Sequence, residues 1–218
     1  MAEVLVYRGT GVNGTANFGH LLGTNYTFEI GNIDADTNWS HLTNGMYQAG
    51  NGFVFRGSDT DGFNENLTYS DGTNSQAILY DVNGNYVLDP TAFAAFGTEA
   101  VFLANTDSVS GTAVQDRALM ITNGSDAPEL LLSVPISSYI LGSENIYAFS
   151  RSGDFHVVRP DLSSSLIYEA DGSGPLIDYY FEFDDALYFR GLASNQNDFY
   201  RIDPDTATLT KMPIAMDS

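Results

Sequence analysis

The stretch Phe53-Val54-Phe55-Arg56-Gly57 decides the fold, because closely similar stretches recur along the chain. Val4-Leu5-Val6-Tyr7-Arg8-Gly9 opens the sequence, and Leu187-Tyr188-Phe189-Arg190-Gly191 stands near its end. Between them lie two looser copies, Ala100-Val101-Phe102-Leu103-Ala104-Asn105 and Ile146-Tyr147-Ala148-Phe149-Ser150. Aligned at Arg8, Arg56 and their equivalents, successive copies are 48, 48, 46 and 40 residues apart. Short apolar runs that are rich in aromatic and β-branched residues predict β-strands.

Three further strands accompany each of these runs. A second strand follows and ends at a turn signal, which in the later copies is Asp71-Gly72, Asn123-Gly124, Pro160-Asp161 or Pro204-Asp205. In the first copy the predicted turn is Ile30-Gly31-Asn32. A third apolar run follows each turn, at residues 39–42, 78–82, 130–134, 166–170 and 209–214. A fourth leads into the next copy, as at residues 93–96, 139–141 and 179–181.

Four short strands that repeat about every 44 residues are typical of propeller blades. We therefore predict an all-β single domain, a five-bladed β-propeller with approximate units 1–45, 46–93, 94–141, 142–180 and 181–218. The sequence starts at the first strand of unit one, so either residues 213–218 supply its leading strand or that blade has three strands. A β-sandwich is the main alternative, although it would not require a sequence repeat.

Composition narrows the classes of partner. The 218 residues are enough for one sizeable core, and 8 basic against 28 acidic side chains give a net charge of −20. Such a surface repels phosphate backbones and anionic lipid, so we expect no nucleic acid partner and no membrane insertion. The absence of cysteine excludes disulfides and thiolate chemistry. The first eight residues lack the basic and apolar regions of a signal peptide.

One unit resembles a known repeat. Residues 66–73 read Asn66-Leu67-Thr68-Tyr69-Ser70-Asp71-Gly72-Thr73, which is similar to the ELWxxDGT-type repeat of large secreted bacterial proteins. Residues 118–125 are a looser copy, whereas the last two units carry Pro-Asp in place of Asp-Gly, and the Trp of the motif is never Trp here. The resemblance implies a propeller-like β-repeat in an extracellular or surface protein, without enzyme activity.

Arginine at equivalent positions is the most regular polar feature. Arg8, Arg56 and Arg190 each precede glycine at the end of a predicted strand. They are candidates for a partial ring of guanidinium groups that binds carboxylate, sulfate or sugar hydroxyls. The alternative is that each arginine pairs with an aspartate of its own blade.

Two aromatic features are further candidates for sugar contacts. Trp39 is the only tryptophan and follows several polar residues, so it is either a sugar-stacking platform or a buried anchor of the first blade. Residues 178–185 (DYYFEFDD) alternate aromatic and acidic side chains. That alternation predicts a strand that ends in an acidic turn, with a carbohydrate contact as the alternative.

Oxygen ligands at alternate positions suggest calcium. Asp59, Asp61 and Asn64 are spaced like the start of a calcium loop, and Asp81 begins a second stretch of similar rhythm that continues to Asp89. Neither has the bidentate glutamate at position twelve that such loops use, and hairpin turns explain both adequately. No other cofactor is expected.

Enzyme signatures are mostly absent. The three histidines are far apart, and there is no HExxH, P-loop or GxSxG motif. A glycosidase-like pair of carboxylates stays open among 28 acids. We predict a non-catalytic extracellular or cell- or virion-surface module that presents propeller loops to a glycan or protein partner. The alternatives are a self-assembling subunit of a filament, coat or phage particle, and a multivalent lectin, which would require matching residues in every unit.

Overall fold

The computed structural model describes residues 4–10, 16–22, 26–29, 46–58, 65–71, 75–106, 117–168, 179–192 and 195–213. Within these ranges the chain forms β-strands joined by turns, and no helix occurs there. The predicted all-β class is therefore confirmed. None of the described residues belongs to a helix long and apolar enough to cross a membrane.

The backbone divides into two compact units, the first of which comprises Met1–Ser108 and Met120–Leu130. Its strands are β1 (Val4–Thr10), β2 (Ala16–Leu22), β3 (Tyr26–Glu29), β4 (Tyr47–Ala49), β5 (Gly52–Ser58), β6 (Glu65–Ser70), β7 (Ser75–Ile78), β8 (Leu88–Phe96) and β9 (Glu99–Asn105). Strands β1, β2 and β3 form one antiparallel sheet. The other strands of this unit are hydrogen-bonded in the order β9-β8-β6-β5-β4, with β7 also paired to β6.

The second unit comprises Val109–Leu119 and Leu131–Ser218. Two strands, β10 (Arg117–Thr122) and β11 (Glu129–Leu141), cross the sequence boundaries of the units. The strands that follow are β12 (Ile146–Ser150), β13 (Phe155–Val158), β14 (Ser164–Tyr168), β15 (Tyr179–Phe183), β16 (Ala186–Leu192), β17 (Asn195–Asp203) and β18 (Thr208–Lys211). One sheet of this unit has the order β14-β13-β12-β11, and the other has the order β15-β16-β17-β18.

The recurring stretches of the sequence are strands β1, β5, β9, β12 and β16, and each pairs with the strand that follows it or with a leading hairpin partner. Predicted turns at residues 123–125, 160–162 and 204–206 all lie between strands. Antiparallel neighbours joined by short turns explain this meandering order, because consecutive strands then pair directly.

Three predicted boundaries were wrong. In the first copy β2 ends at Leu22 and β3 already begins at Tyr26, so Ile30-Gly31-Asn32 follows the third strand in the sequence and not the second. In the second copy β7 ends at Ile78, and residues 79–82 enter a loop. The runs predicted at 130–134 and 139–141 merge in β11, where no glycine or Asn-Gly interrupts the strand and a register irregularity near Ile136 takes up the bend. Residues 39–42 lie outside the described residues.

An aromatic core joins the two sheets of the second unit. Phe155 is fully buried, stacks on Phe149 with ring centroids 4.4 Å apart, and meets Phe189 edge-on at 5.7 Å. The remaining buried members of the cluster are Tyr147, Val157, Leu187, Tyr200 and Ile202. Side chains alternate along a strand. The residues that alternate with Leu187 and Phe189 along β16 therefore point to the opposite face of the sheet.

A two-residue hairpin fixes the register of β15. Asp184 and Asp185 both have positive φ, at 50° and 54°, which is the requirement of a type I′ turn. Phe183 consequently lies opposite Ala186, and Tyr179 lies opposite Arg190. The predicted strand that ends in an acidic turn is present here.

Candidate functional site

The outer face of the sheet formed by β15 to β18 gathers aromatic rings around an arginine. Its members, which we name the arginine–aromatic face, are Tyr179, Phe181, Phe183, Tyr188 and Arg190. They share this face because directly opposed residues of antiparallel strands point to the same side, and Phe181 is opposite Tyr188. The core residues Leu187 and Phe189 alternate with them and point the other way.

The rings of β15 are unusually exposed for aromatic side chains. Tyr179, Phe181 and Phe183 keep 65%, 53% and 67% of their surface accessible. Phe181 and Tyr188 are stacked nearly parallel, with centroids 5.2 Å apart and 4° between ring planes. Phe183 meets Tyr188 edge-on, at a centroid distance of 6.5 Å. Aromatic residues two apart on one face of a strand are spaced by about 6.7 Å, so the three rings that β15 presents on this face form a row.

Arg190 adds a fixed cation to this row. Its guanidinium carbon lies 4.6 Å from the centroid of the Tyr179 ring, which is a cation–π geometry. The contact orients the planar donors of Arg190 beside an exposed ring, where they are suited to oxygen acceptors. On the same face, opposite Tyr188, the Arg201 guanidinium is 3.5 Å from the carboxylate of Asp203. The face therefore combines apolar ring surface with both hydrogen-bond donors and acceptors.

The three predicted arginines occupy equivalent register positions. In the backbone register Arg8 is paired with Phe18, Arg56 with Leu67 and Arg190 with Phe199, so the partner position on the second strand holds an apolar residue type in each case. Arg56 and Arg190 are half-buried. The side chain of Arg8 is outside the described part of the chain. Arg190 lies over the exposed ring of Tyr179.

The remaining predicted site residues, Trp39, Asp59, Asp61 and Asn64, lie outside the described residues. No cluster of three or more histidine or acidic side chains in the described ranges has the arrangement of a metal site. At the second calcium-like stretch, the Asp81 carboxylate accepts hydrogen bonds from the backbone amides of Asn83 and Asn85, each at 2.9 Å. The side-chain amide of Asn85 donates to it as well, at 3.1 Å. Asp81 is thus used within the turn, as the hairpin alternative predicts.

That turn presents a second group of exposed apolar side chains, on residues 79–87. Tyr80 and Tyr86 pack with their centroids 4.8 Å apart, and Leu79 and Val82 are exposed beside them. A hydrogen bond with Tyr86 raises the pKa of Tyr80. The hydrogen bonds of Asp81 hold the backbone between the two tyrosines. Nothing in the sequence except its aromatic content marks this group.

Buried titratable groups lie on the opposite side of the C-terminal sheet. Burial raises the pKa of Tyr147 far above its usual range, and the nearby Glu182 carboxylate adds to the effect. Glu182 also accepts a hydrogen bond from the backbone amide of Ser143, at 2.7 Å. Burial lowers the pKa of His156, and the carboxylate of Asp154 partly opposes the shift. Tyr147 belongs to the aromatic core, whereas His156 alternates with the core residues Phe155 and Val157 along β13.

Sequence reasoning missed Tyr188 as a member of the site, although the sequence contains a signal for it. A two-residue turn at Asp184-Asp185 fixes which residues are opposed, and counting outward from it places Phe181 against Tyr188. The same count places Tyr179 against Arg190. The alternation of residues 178–185 indicates an aromatic and acidic strand, but the partners of that strand follow only from the length of the turn.

No protein-family model matches this chain, and no curated protein matches it. Several solved structures do match this chain. Apo AztD from Citrobacter koseri has a TM-score of 0.51 and 10% identity over 99% of this chain and 57% of that one. At this identity the likeness concerns the fold alone.

Two further solved structures match with lower TM-scores. One is PorZ, an essential bacterial surface component of the type-IX secretion system of Porphyromonas gingivalis, with a TM-score of 0.37, 18% identity, and coverage of 97% of this chain and 26% of that chain. The other is from a study of two prolyl endopeptidases, with a TM-score of 0.40, 7% identity, and coverage of 98% and 34%. The chain therefore spans less than two thirds of the length of each structure.

Proposed function

We propose that this chain is a non-catalytic interaction module that binds a neutral glycan through the arginine–aromatic face. The observation that carries the proposal is the row of exposed rings on β15 beside Arg190, whose guanidinium lies over Tyr179. Aromatic faces pack against the C–H faces of sugars, while arginine and carboxylate groups bind hydroxyls. A protein partner at the same face is the competing outcome.

The charge of the molecule favours a neutral ligand. A net charge of −20 repels anionic chains before they reach the surface, and at physiological salt that repulsion extends about 8 Å. The carboxylates of Asp184 and Asp185 stand at the β15–β16 turn, at the opposite end of the row from Arg190. Hydroxyl groups satisfy both kinds of partner, whereas a sulfate or carboxylate suits only the arginine.

The test is a glycan array followed by titration calorimetry with the glycans that respond. Tyr179→Ala removes the ring under the guanidinium at an exposed position, and we expect at least a tenfold loss of affinity, about 1.4 kcal/mol. Tyr86→Ala is the matched control, because it removes an exposed tyrosine ring at a different place. An empty array, or equal losses in both variants, would refute the glycan site, and binding only to protein baits would favour the competing partner.

Self-assembly is a second candidate function, and one observation favours it. Strand β15 is the last strand of its sheet among the described residues, and it exposes aromatic side chains along its length. Exposed apolar edge strands pair readily with other chains. A subunit of a filament, coat or phage particle would use such an edge.

We also propose that the meanders are the blades of a five-bladed propeller located outside the cell or on a cell or virion surface. The regular return of the first strand and the resemblance of residues 66–73 to the ELWxxDGT-type repeat support this arrangement. A closed ring of 218 residues has an expected radius of gyration of about 17 Å. Small-angle scattering measures it directly, and a clearly larger radius would contradict closure.

Calcium binding is proposed at Asp59, Asp61 and Asn64 from their spacing. Titration calorimetry with Ca²⁺ on the wild type and on Asp61→Asn provides the test. A binding signal that survives the substitution would show that these residues are not the ligands.

A further inference from the structure

Strand β15 offers hydrogen-bonding groups along one side. It is the terminal strand of the order β15-β16-β17-β18, and in the described part of the chain it pairs with β16 alone. The outer row of N–H and C=O groups of a terminal strand is best satisfied by another strand, which continues the ladder. The geometry therefore favours an occupant that is itself an extended chain.

The sequence of β15 is suited to a copy of itself. Written Tyr-Tyr-Phe-Glu-Phe, it has Phe181 at its centre. An antiparallel pair about a twofold axis through this position sets Phe181 against Phe181 of the second copy and Tyr179 against Phe183. On the other side of the strand, Glu182 faces Tyr180, so no two carboxylates are opposed within the strand. Aromatic cross-strand pairs stabilise a sheet, whereas directly opposed like charges destabilise it.

We propose that β15 pairs with β15 of a second copy of this chain, antiparallel and centred on Phe181. The proposal rests on the second candidate function, self-assembly, and specifies its contact. It produces an eight-stranded sheet across the twofold axis, since each copy contributes β15 to β18. A twofold contact of this kind uses the same surface on both copies and closes at a dimer.

Pairing also changes the proposed glycan surface. Tyr179, Phe181 and Phe183 point to one face, so the two rows lie side by side and form one patch of six rings on that face. The second copy thereby extends the site. A longer glycan would gain contacts on both copies, which couples its binding to dimerisation.

Net charge opposes the contact at long range. Two chains of charge −20 repel one another, and salt screens that repulsion while leaving the ring contacts intact. We therefore expect the dimer fraction to rise with ionic strength. An ion-paired interface would show the opposite dependence.

The absence of cysteine makes the register directly testable. In the proposed pair the Cβ atoms at position 181 are opposed at about 4.5–5.5 Å, close to the distance that a disulfide spans. Phe181→Cys should give a disulfide-linked dimer on mild oxidation. The side chain at this position is half exposed, so the substitution is compatible with folding.

Two further variants on the same strand serve as register controls. Each copy of Tyr179→Cys alone would place its two thiols about 13.5 Å apart along the strands, too far for a disulfide. The same holds for Phe183→Cys alone, but a mixture of the two variants should form the mixed dimer. Non-reducing electrophoresis and light scattering, at low and high salt, report the outcome.

Several results would overturn the pairing. Equal cross-linking at all three positions would indicate random collision or a parallel arrangement, and a monomeric Phe181→Cys at high salt would show that the edge is not used. Larger oligomers without a Phe181→Cys cross-link would leave self-assembly standing and refute this contact. Glycan binding by a monomer would support the first proposed function and reject the dimer, so the two proposals fail separately.

Discussion

Replacing Phe155 by alanine tests whether the aromatic core holds the second unit together. Phe155 is fully buried, and its ring contacts Phe149, Phe189 and Tyr147 at centroid distances of 4.4, 5.7 and 6.3 Å. Removing a buried phenyl ring costs about 3–5 kcal/mol through lost burial and the cavity left behind. The lost ring pairs account for part of that figure, at about 0.5–1.5 kcal/mol each.

Urea unfolding followed by far-ultraviolet circular dichroism measures this cost. Because single domains are stable by about 5–15 kcal/mol, Phe155→Ala should lower the unfolding midpoint substantially. Phe155→Leu keeps most of the volume and should cost less than about 1.5 kcal/mol. The double variant Phe155→Ala/Phe189→Ala should be less destabilised than the sum of the single variants, since the two rings are in contact.

The matched control is Phe183→Ala, which removes the same side chain from an exposed position. Surface substitutions of this kind usually change stability by no more than about 0.5 kcal/mol. If Phe155→Ala cost less than about 1 kcal/mol, or if Phe183→Ala cost as much as Phe155→Ala, the assignment of Phe155 to a core between the two sheets and of Phe183 to an outer face would be refuted.

Three further substitutions probe a turn, a hairpin and a buried histidine. Asp81→Ala should cost about 1–3 kcal/mol in urea unfolding, because it leaves two backbone amides without their acceptor, and unchanged stability would refute the role of the carboxylate. Asp185→Gly should raise stability by up to about 1 kcal/mol in thermal melts, since the residue has a positive φ, and a lower melting temperature would contradict that turn geometry. Burial lowers the pKa of His156 below 6.5, so the unfolded chain binds the extra proton and stability falls as the pH drops below about 6.5. His156→Gln should remove that component, and identical pH dependence in both proteins would contradict it.

The recurring strands could be predicted from the sequence because their residue types and their position inside a sheet both favour a β-strand. Phe53-Val54-Phe55 and Leu187-Tyr188-Phe189 are apolar on both faces, and their places in β5 and β16 show why: each is an inner strand with packed neighbours. Glycine follows the arginine in both, which ends the apolar run. Strands that are apolar on both sides leave a sequence signal that survives divergence elsewhere.

The ends of the strands were harder to predict from the sequence, because residues that form turns are abundant throughout it. Residues 23–25 read Gly-Thr-Asn and residues 30–32 read Ile-Gly-Asn, so both have the composition of turns, and only the start of β3 at Tyr26 distinguishes them. In β11 a residue that usually interrupts a strand, Pro135, is present, but the strand continues. It accommodates the proline through an irregular register near Ile136. The residue composition alone does not show which of two possible turns ends a strand.

The strand and the turn of the candidate site could be predicted from the sequence. Which of its side chains are exposed to solvent could not. Alternation along residues 178–185 predicts a strand, and the two acidic residues predict its turn. Which of the alternating sets faces solvent depends on where the other sheet packs, and Leu187 and Phe189 decide that by joining the core. The contact between Arg190 and Tyr179 is a consequence of the register, which the turn length sets.

Charge opposes the association of copies that carry such exposed rings, and it yields a final prediction. At neutral pH the −20 charge repels copies from one another, so we expect contacts between the β15 rows to become more frequent when that repulsion is weakened. Near the isoelectric point of about 4.1 that protection vanishes, and light scattering should show association as the pH approaches it. Phe181→Ser should delay this association, whereas Tyr86→Ser, at a similarly accessible but separate turn, should not. If both variants associate like the wild type, the exposed row is not the surface that the charge holds apart.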